Sequence, residues 1–336
     1  MKDFHKVQKD RIKYHAQPHK NTVHRSSLIA PELPNSSTWI GFVNHFLIKR
    51  NYKSVALKIS AINNSGELLD SITFEVDEPK VYSINLSELF KGFKVKNYLI
   101  EFFSEKNLFI PFPAVIITHQ GKDFCNVVHS YNRVINDVFE DDQINKTQVS
   151  EASFDVNIDK KYDTFFNLSS GISSIDKKNL HLTYEKDKIK FTKNIKVSIP
   201  RLSYKSFFLS KIFKKKLLGG TVRITQPKQN LFYGRLFAGN INKSTKAFSA
   251  NHSYYDVSKN KEYFTSSHSY RTYPYFTNSV NKITMYPIFS PSKLDIQLKV
   301  FDKKNYFLSP KFRFSSSSKS PLSINVNEFV DSKKMK

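Results

Sequence analysis

Apolar and polar residues alternate along much of this chain with a period of two. Leu57, Ile59 and Ala61 form one such series, Ile72, Phe74 and Val76 a second, and Leu294, Ile296, Leu298 and Val300 a third. In an extended backbone successive side chains point to opposite sides, so this period predicts strands with one buried face. "NNSG" at Asn63 to Gly66 supplies turn chemistry between the first two series. "NLSELFKG" predicts one helical turn capped by Asn85 or Ser87, and little else carries a 3.6 period.

The alternating segments recur. At an offset of 123 residues, and without a gap, Leu57, Ile59, Ile72, Phe74 and Val76 meet Leu180, Leu182, Ile195, Val197 and Ile199. At the same offset Leu86, Ser87 and Phe90 meet Leu209, Ser210 and Phe213, and Asn107, Leu108 and Phe109 meet Asn230, Leu231 and Phe232. His129, Ser130, Tyr131 and Val134 likewise meet His252, Ser253, Tyr254 and Val257. One register held across separate elements is the mark of a duplicated unit. A third, shorter copy follows at an offset of 240, where Phe314, Ile324 and Val326 fall on Phe74, Ile84 and Leu86. In it the serine-rich Ser315 to Ser320 takes the place of a strand end and loop.

Short alternating strands in repeats of about 120 residues predict an all-β chain of tandem immunoglobulin-like β-sandwich domains, two full repeats plus a shortened third. The expected boundaries are a basic mobile N-terminal arm over 1–35, repeat 1 over 36–148, repeat 2 over 149–278, and partial repeat 3 over 279–336. Repeat 2 carries a long Tyr- and His-rich loop from Asn240 to Asn278. The third unit lacks several counterparts, so its missing strands are expected from the N-terminal part of the chain or from a second subunit.

Composition narrows the functional classes. Thirty Phe and 14% aromatic residues in 336 exclude a chain disordered throughout. The formal charge of +24 invites a polyanion, yet Lys is abundant together with Asn, Ile, Phe and Tyr, a joint bias that base composition alone can produce. The reading therefore favours a lysine-rich solvated surface and weighs against nucleic acid. The lone Cys125 excludes an intrachain disulfide framework and a multi-cysteine zinc site, and its alternating context "DFCNVV" predicts a buried thiol. The N-terminal stretch has no apolar run of signal-peptide length, and nowhere is there an apolar run able to span a membrane, so a cytoplasmic protein is expected.

Candidate chemistry gathers around His-Ser-Tyr. A functional reading gives His129 and His252 proton transfer or ligation, with Tyr131, Arg133, Tyr254 and Asp256 orienting a ligand. The structural reading, which carries more weight, is a tyrosine corner inherited twice with the fold. A third copy, His268 to Tyr270, lies near Tyr263 and Arg271 in the long loop, where aromatic and guanidinium groups suit a sugar ring or a protein epitope. Metal leads are faint: His15, His19 and His24 stand in a polar segment, and Asp137, Glu140, Asp141 and Asp142 lack the spacing of a calcium loop. Neither a nucleophile elbow nor a phosphate-cradling loop is present, and the pair Gly219-Gly220 reads as a turn. Lysines 91, 94 and 96 and lysines 211, 214, 215 and 216 occupy matching places and could bind anions, or simply face solvent.

These observations point to a non-enzymatic multidomain binding protein whose partner is a glycan or another protein, without cofactor or metal, and able to form a homo-oligomer through repeat 3. The rival is an enzyme or regulatory subunit with a site between repeats built from His129, Arg133, His252 and Asp256. A further alternative is polyanion binding through loop lysines.

Overall fold

The computed structural model describes residues 24–104, 114–132, 151–186, 188–227, 235–255, 272–277, 279–285, 293–301, 306–315 and 322–330. It is mostly β, built from paired four-strand antiparallel sheets. The first unit contains β1 (His24–Pro31), β2 (Ser37–Val43), β3 (Val55–Ile62), β4 (Leu68–Val76), β5 (Val81–Asn85), β6 (Asn97–Ser104), β7 (Ile116–Gln120) and β8 (Cys125–His129). They form one sheet in the order β1-β6-β3-β4 and another in the order β5-β2-β7-β8.

The second unit contains β9 (Glu151–Ile158), β10 (Tyr162–Ser169), β11 (Ile175–Lys186), β12 (Ile189–Ile199), β13 (Tyr204–Phe208), β14 (Leu217–Thr225), β15 (Phe237–Asn242) and β16 (Phe248–His252). Its sheets run β12-β11-β14-β9 and β13-β10-β15-β16, with the short β17 (Tyr254–Tyr255) added beside β9. Each strand of the first unit thus has its counterpart eight strands later in the same place. A duplicated sequence has produced a duplicated strand order.

Strand β1 falls inside the segment expected as an arm. It pairs with β6, Leu28 opposite Ile100, and buries Leu28, Ile29 and Ala30. Its apolar residues are confined to that one triplet, which is why a polar surrounding hid it. Residues 1–23 lie outside the described set.

The turn chemistry is where the sequence put it. Asn63 Oδ1 accepts hydrogen bonds from the backbone N–H of Ser65 and of Glu67, both at 2.9 Å, and Gly66 adopts φ 83°. A Cβ at Gly66 would collide with the backbone carbonyl of Arg201 in the second unit, so this hairpin tip is also a point of close approach between units. Asn85 caps the predicted helical turn α2 (Leu86–Leu89) by accepting from Glu88 N–H at 3.2 Å. Its counterparts are α3 (Leu209–Phe213) and a 3-10 turn at Val326–Phe329. The apolar pairs Leu86 and Phe90, Leu209 and Phe213, and Val326 and Val330 are all buried. One further helix, α1 (His45–Arg50), is capped by Asn44 and buries Phe46 alone, too few apolar positions to show a period.

Three sequence expectations change. The offset of 123 is not uniform: Ser130 N–H donates to Val115 O, and Ser253 N–H to Leu236 O, which makes Val115 and Leu236 equivalent at 121. The slip is even, so every side chain keeps its face. Gly219 and Gly220 make a bulge inside β14, with φ 71° and 83°, not a turn; a Cβ on Gly220 would crowd the carbonyl of Glu185 and the hydroxyl of Tyr184. Cys125 is exposed, because β8 alternates in the opposite phase, with Asn126 and Val128 inward.

The third unit pairs β18 (Lys282–Met285) with β23 (Leu322–Asn325), β19 (Lys293–Ile296) with β22 (Phe312–Ser315), and β20 (Lys299–Phe301) with β21 (Tyr306–Leu308). In backbone register Leu294 pairs with Phe314 as Leu57 does with Phe74. Among the described residues no strand of the other units joins these ladders.

The sheet β13-β10-β15-β16 is covered on both faces. Phe166, Leu168 and Ala238 enter the second unit's own core with Leu180, Leu182 and Val222. Phe165, Phe237, Phe248 and Ala250 instead join the first unit's core, among Ile117, Val128 and Tyr131. Both faces being apolar, β10 ("YDTFFNLS") shows no alternation. The two sandwiches are therefore packed against each other through a buried aromatic layer.

Candidate functional site

The His-Ser-Tyr segments end β8 and β16, which run side by side across the junction. Their corners are built alike. His129 Nδ1 lies 2.8 Å from Ser130 O, and His252 Nδ1 lies 3.0 Å from Ser253 O. Ser130 and Ser253 are buried, and Ser253 Oγ accepts from Leu236 N–H at 3.0 Å. The two imidazoles meet: their ring centres are 4.5 Å apart, inclined at 64°, with Nε2 to Nε2 at 2.9 Å.

Around the pair the contacts serve the junction. Tyr131 is buried and stacks on Phe237 of the second unit at 5.8 Å. Asn126 Oδ1 accepts from Ala250 N–H at 2.6 Å across the junction, whereas Asn132 Oδ1 accepts from Ile29 N–H at 3.1 Å within the first unit. On the far side Leu202 packs on Ile29, Ile62 and Leu99, while Asn97 Nδ2 donates to Leu202 O at 2.9 Å. Tyr204 donates to Glu32 O at 2.6 Å beneath Lys96, whose ammonium lies 3.8 Å from the ring centre.

Burial sets the electrostatics. It holds His119 down at about 4, and it lowers His252 to about 4, with the hydrogen bond to Ser253 opposing and the Arg235 guanidinium adding to the shift. Burial raises the Glu32 carboxyl against the hydrogen bonds of Thr38, Ser87 and Tyr98, and it pushes the Tyr131 and Tyr204 phenols up. The imidazole of His252 and both phenols are thus neutral at pH 7.

Of the ten candidate residues, the structure brings His129 and His252 together, while Tyr131 lies against Phe237. Tyr254 lies on β17 opposite Ser153. Arg133, Asp256, Tyr263, His268, Tyr270 and Arg271 lie outside the described residues, as do His15, His19 and the acidic run Asp137 to Asp142. Among the described residues no three of His, Cys, Asp or Glu gather as a metal site.

Sequence reasoning missed Arg235, His119, Asn126 and Asn132. The alternation of Ile117 with His119 is the signal that could have placed that imidazole on a buried face. Nothing local marks Arg235, which is set by the fold beside a residue seventeen positions away. The basic clusters are partly engaged: Lys91 pairs with Glu88, Lys96 covers Tyr204, and Lys215 stands 4.0 Å over Phe191.

No family model matches the chain, and no curated protein does. Among solved structures it is similar to Bacteroides uniformis β-glucuronidase, at 8% identity and a TM-score of 0.17, over 70% of this chain and 26% of that one. A calcium-binding mutant of Bacteroides uniformis β-glucuronidase 2 gives 11% and 0.16 over the same shares. The chain spans about a quarter of those proteins, and at such scores the likeness carries no argument. No helix among the described residues is long and apolar enough to cross a membrane.

Proposed function

We propose that this chain is a non-enzymatic binding protein of tandem immunoglobulin-like sandwiches, the third unit offering its surface to another protein. The neighbours β2–β5 and β3–β6 correspond to the B–E and C–F pairs of an immunoglobulin sandwich, which supports the finer fold reading, whereas β1 beside β6 and β7 beside β2 exchange the places of its first and last strands. The observation that carries the function is the exposure of Tyr273 and Phe276, at the end of repeat 2, and of Val280, Phe301, Tyr306 and Leu308 in the third unit. Of the sixteen large apolar side chains exposed among the described residues, six fall in this one stretch, a density that suits an interaction surface. Strands β18 and β19 each have one ladder neighbour among the described residues, where their counterparts β2 and β3 have two, so a strand from a partner or a second copy fits the same unit.

The enzyme reading rests on the meeting of His129 and His252. Their nitrogens, however, face each other and two backbone carbonyls, an arrangement that supports a joint rather than a substrate pocket. A glycan partner would use the same aromatic surface.

Tyr273→Ser combined with Phe301→Ser is expected to weaken partner capture at least tenfold, about 1.4 kcal/mol, with the unfolding temperature unchanged. Cross-linking capture and a glycan array, each read at low and high salt, make the measurement. Binding indifferent to both substitutions and collapsing with salt would replace this reading with the polyanion alternative.

A further inference from the structure

The joint between the sandwiches contains a proton count that does not close for two neutral histidines. Three contacts lie in series: Ser130 O to His129 Nδ1 at 2.8 Å, His129 Nε2 to His252 Nε2 at 2.9 Å, and His252 Nδ1 to Ser253 O at 3.0 Å. A carbonyl oxygen only accepts, so each Nδ1 must carry a proton. A neutral imidazole has one ring proton, and spending it at Nδ1 leaves a lone pair at Nε2. Two lone pairs would then face each other at hydrogen-bond distance. Three contacts need three protons; two neutral rings supply two.

We infer that the His129–His252 contact is a proton-gated clasp, in which one shared extra proton closes the joint between the sandwiches and its loss loosens that joint. Arg235 decides which ring carries the proton. Its Nη1 is nearly equidistant from the two nitrogens of His252, 3.4 and 3.3 Å, which places it over the ring face and not in line with either lone pair. A guanidinium on the face of His252 disfavours a second charge there, so His129 is the donor and His252 Nε2 the acceptor. The depressed basicity of His252 agrees. The same guanidinium disfavours a divalent metal ion between the rings.

Among the described residues, the strand neighbours of the pair are uncharged. Strands β7 and β15 oppose it with Ile116 and Phe237, the outward face of β8 carries Cys125 and Val127, and Tyr131 is turned to Phe237. Among the described residues Arg235 is the charged group set against the pair.

The sign follows from proton linkage. If the native joint binds one proton that the unfolded chain releases near the ordinary histidine value of about 6.5, the clasp stabilises fully below that pH and fades as pH rises above it. His129→Gln keeps an N–H donor near the position of Nε2 without needing protonation, whereas His129→Ala removes it.

The test uses the full chain. Long-range nitrogen–proton NMR near pH 6 is expected to show protons on both ring nitrogens of His129 and on Nδ1 alone of His252. Above pH 6.5, wild-type stability is expected to fall with the slope of about one proton, and the slope to vanish in His129→Gln. His129→Ala should also lose the slope, at lower overall stability. One proton on each ring, or a slope unchanged in His129→Gln, would overturn the clasp. So would loss of the contact on adding a chelator, which would assign the charge to a metal ion.

Discussion

Phe237→Ala is expected to lower the unfolding free energy by about 3–5 kcal/mol. The side chain is fully buried, and it touches rings from both sandwiches: Tyr131 at 5.8 Å and His119 at 5.7 Å on one side, Phe165 at 6.1 Å and Phe248 at 6.3 Å on the other. Truncation therefore removes apolar burial and opens a cavity at the one place where both units pack against it. Collapse is hindered because β15 is fixed by β10 and β16 on its two edges. Phe237→Leu, which retains most of the volume, should cost about 1–2 kcal/mol. Denaturant titration measures both. A loss below about 1 kcal/mol for the alanine variant would mean that the aromatic layer is not a packed interface.

The second large effect is acid destabilisation through His119. Its ring is wholly buried against Phe237 and Phe248, its Nδ1 lies 3.4 Å from Thr38 Oγ1, and its Nε2 has no hydrogen-bond partner among the described residues. Burial holds its folded value at about 4, so the native state keeps it neutral while the unfolded chain takes up a proton below about 6.5. Stability is thus complete above about pH 6.5 and declines as pH falls toward 4, by on the order of 3 kcal/mol from this residue. His119→Leu should remove this share of the limb and leave the share of His252, which burial also holds at about 4. This limb lies on the opposite side of neutrality from the clasp, and the two substitutions separate them. An acid limb that persists unchanged in His119→Leu would assign the proton uptake elsewhere.

Much of the fold was legible because it rests on period-two alternation and on turn residues with a steric reason. The β3–β4 hairpin, its Asn63 to Gly66 turn and the Asn85 cap followed from local chemistry alone. The duplication was legible because matched residues do matched tasks: Leu86 and Leu209 are both fully buried, and His129 and His252 both turn a corner onto the following carbonyl.

What escaped was set by packing between units. Alternation presumes one buried face, so β10, covered on both, gave no period. Cys125 had the right alternation and the wrong phase, which only the partner strand decides. The Gly219-Gly220 bulge and the two-residue slip of β7 depend on loop lengths that a fixed offset does not register. The contact of His129 with its own duplicate could be found only in three dimensions, since sequence equivalence implies no proximity.

We expect the two sandwiches to unfold as one cooperative body through the sheet they share. Trp39 is the sole tryptophan and lies on β2 of the first unit, so its fluorescence reports that unit. Leu182→Ala places a cavity wholly inside the second unit's own core. This distant substitution is expected to lower the denaturation midpoint of Trp39 together with that of the whole-chain circular dichroism. A Trp39 transition left where it stands in the wild type, while the circular dichroism splits into two steps, would contradict it.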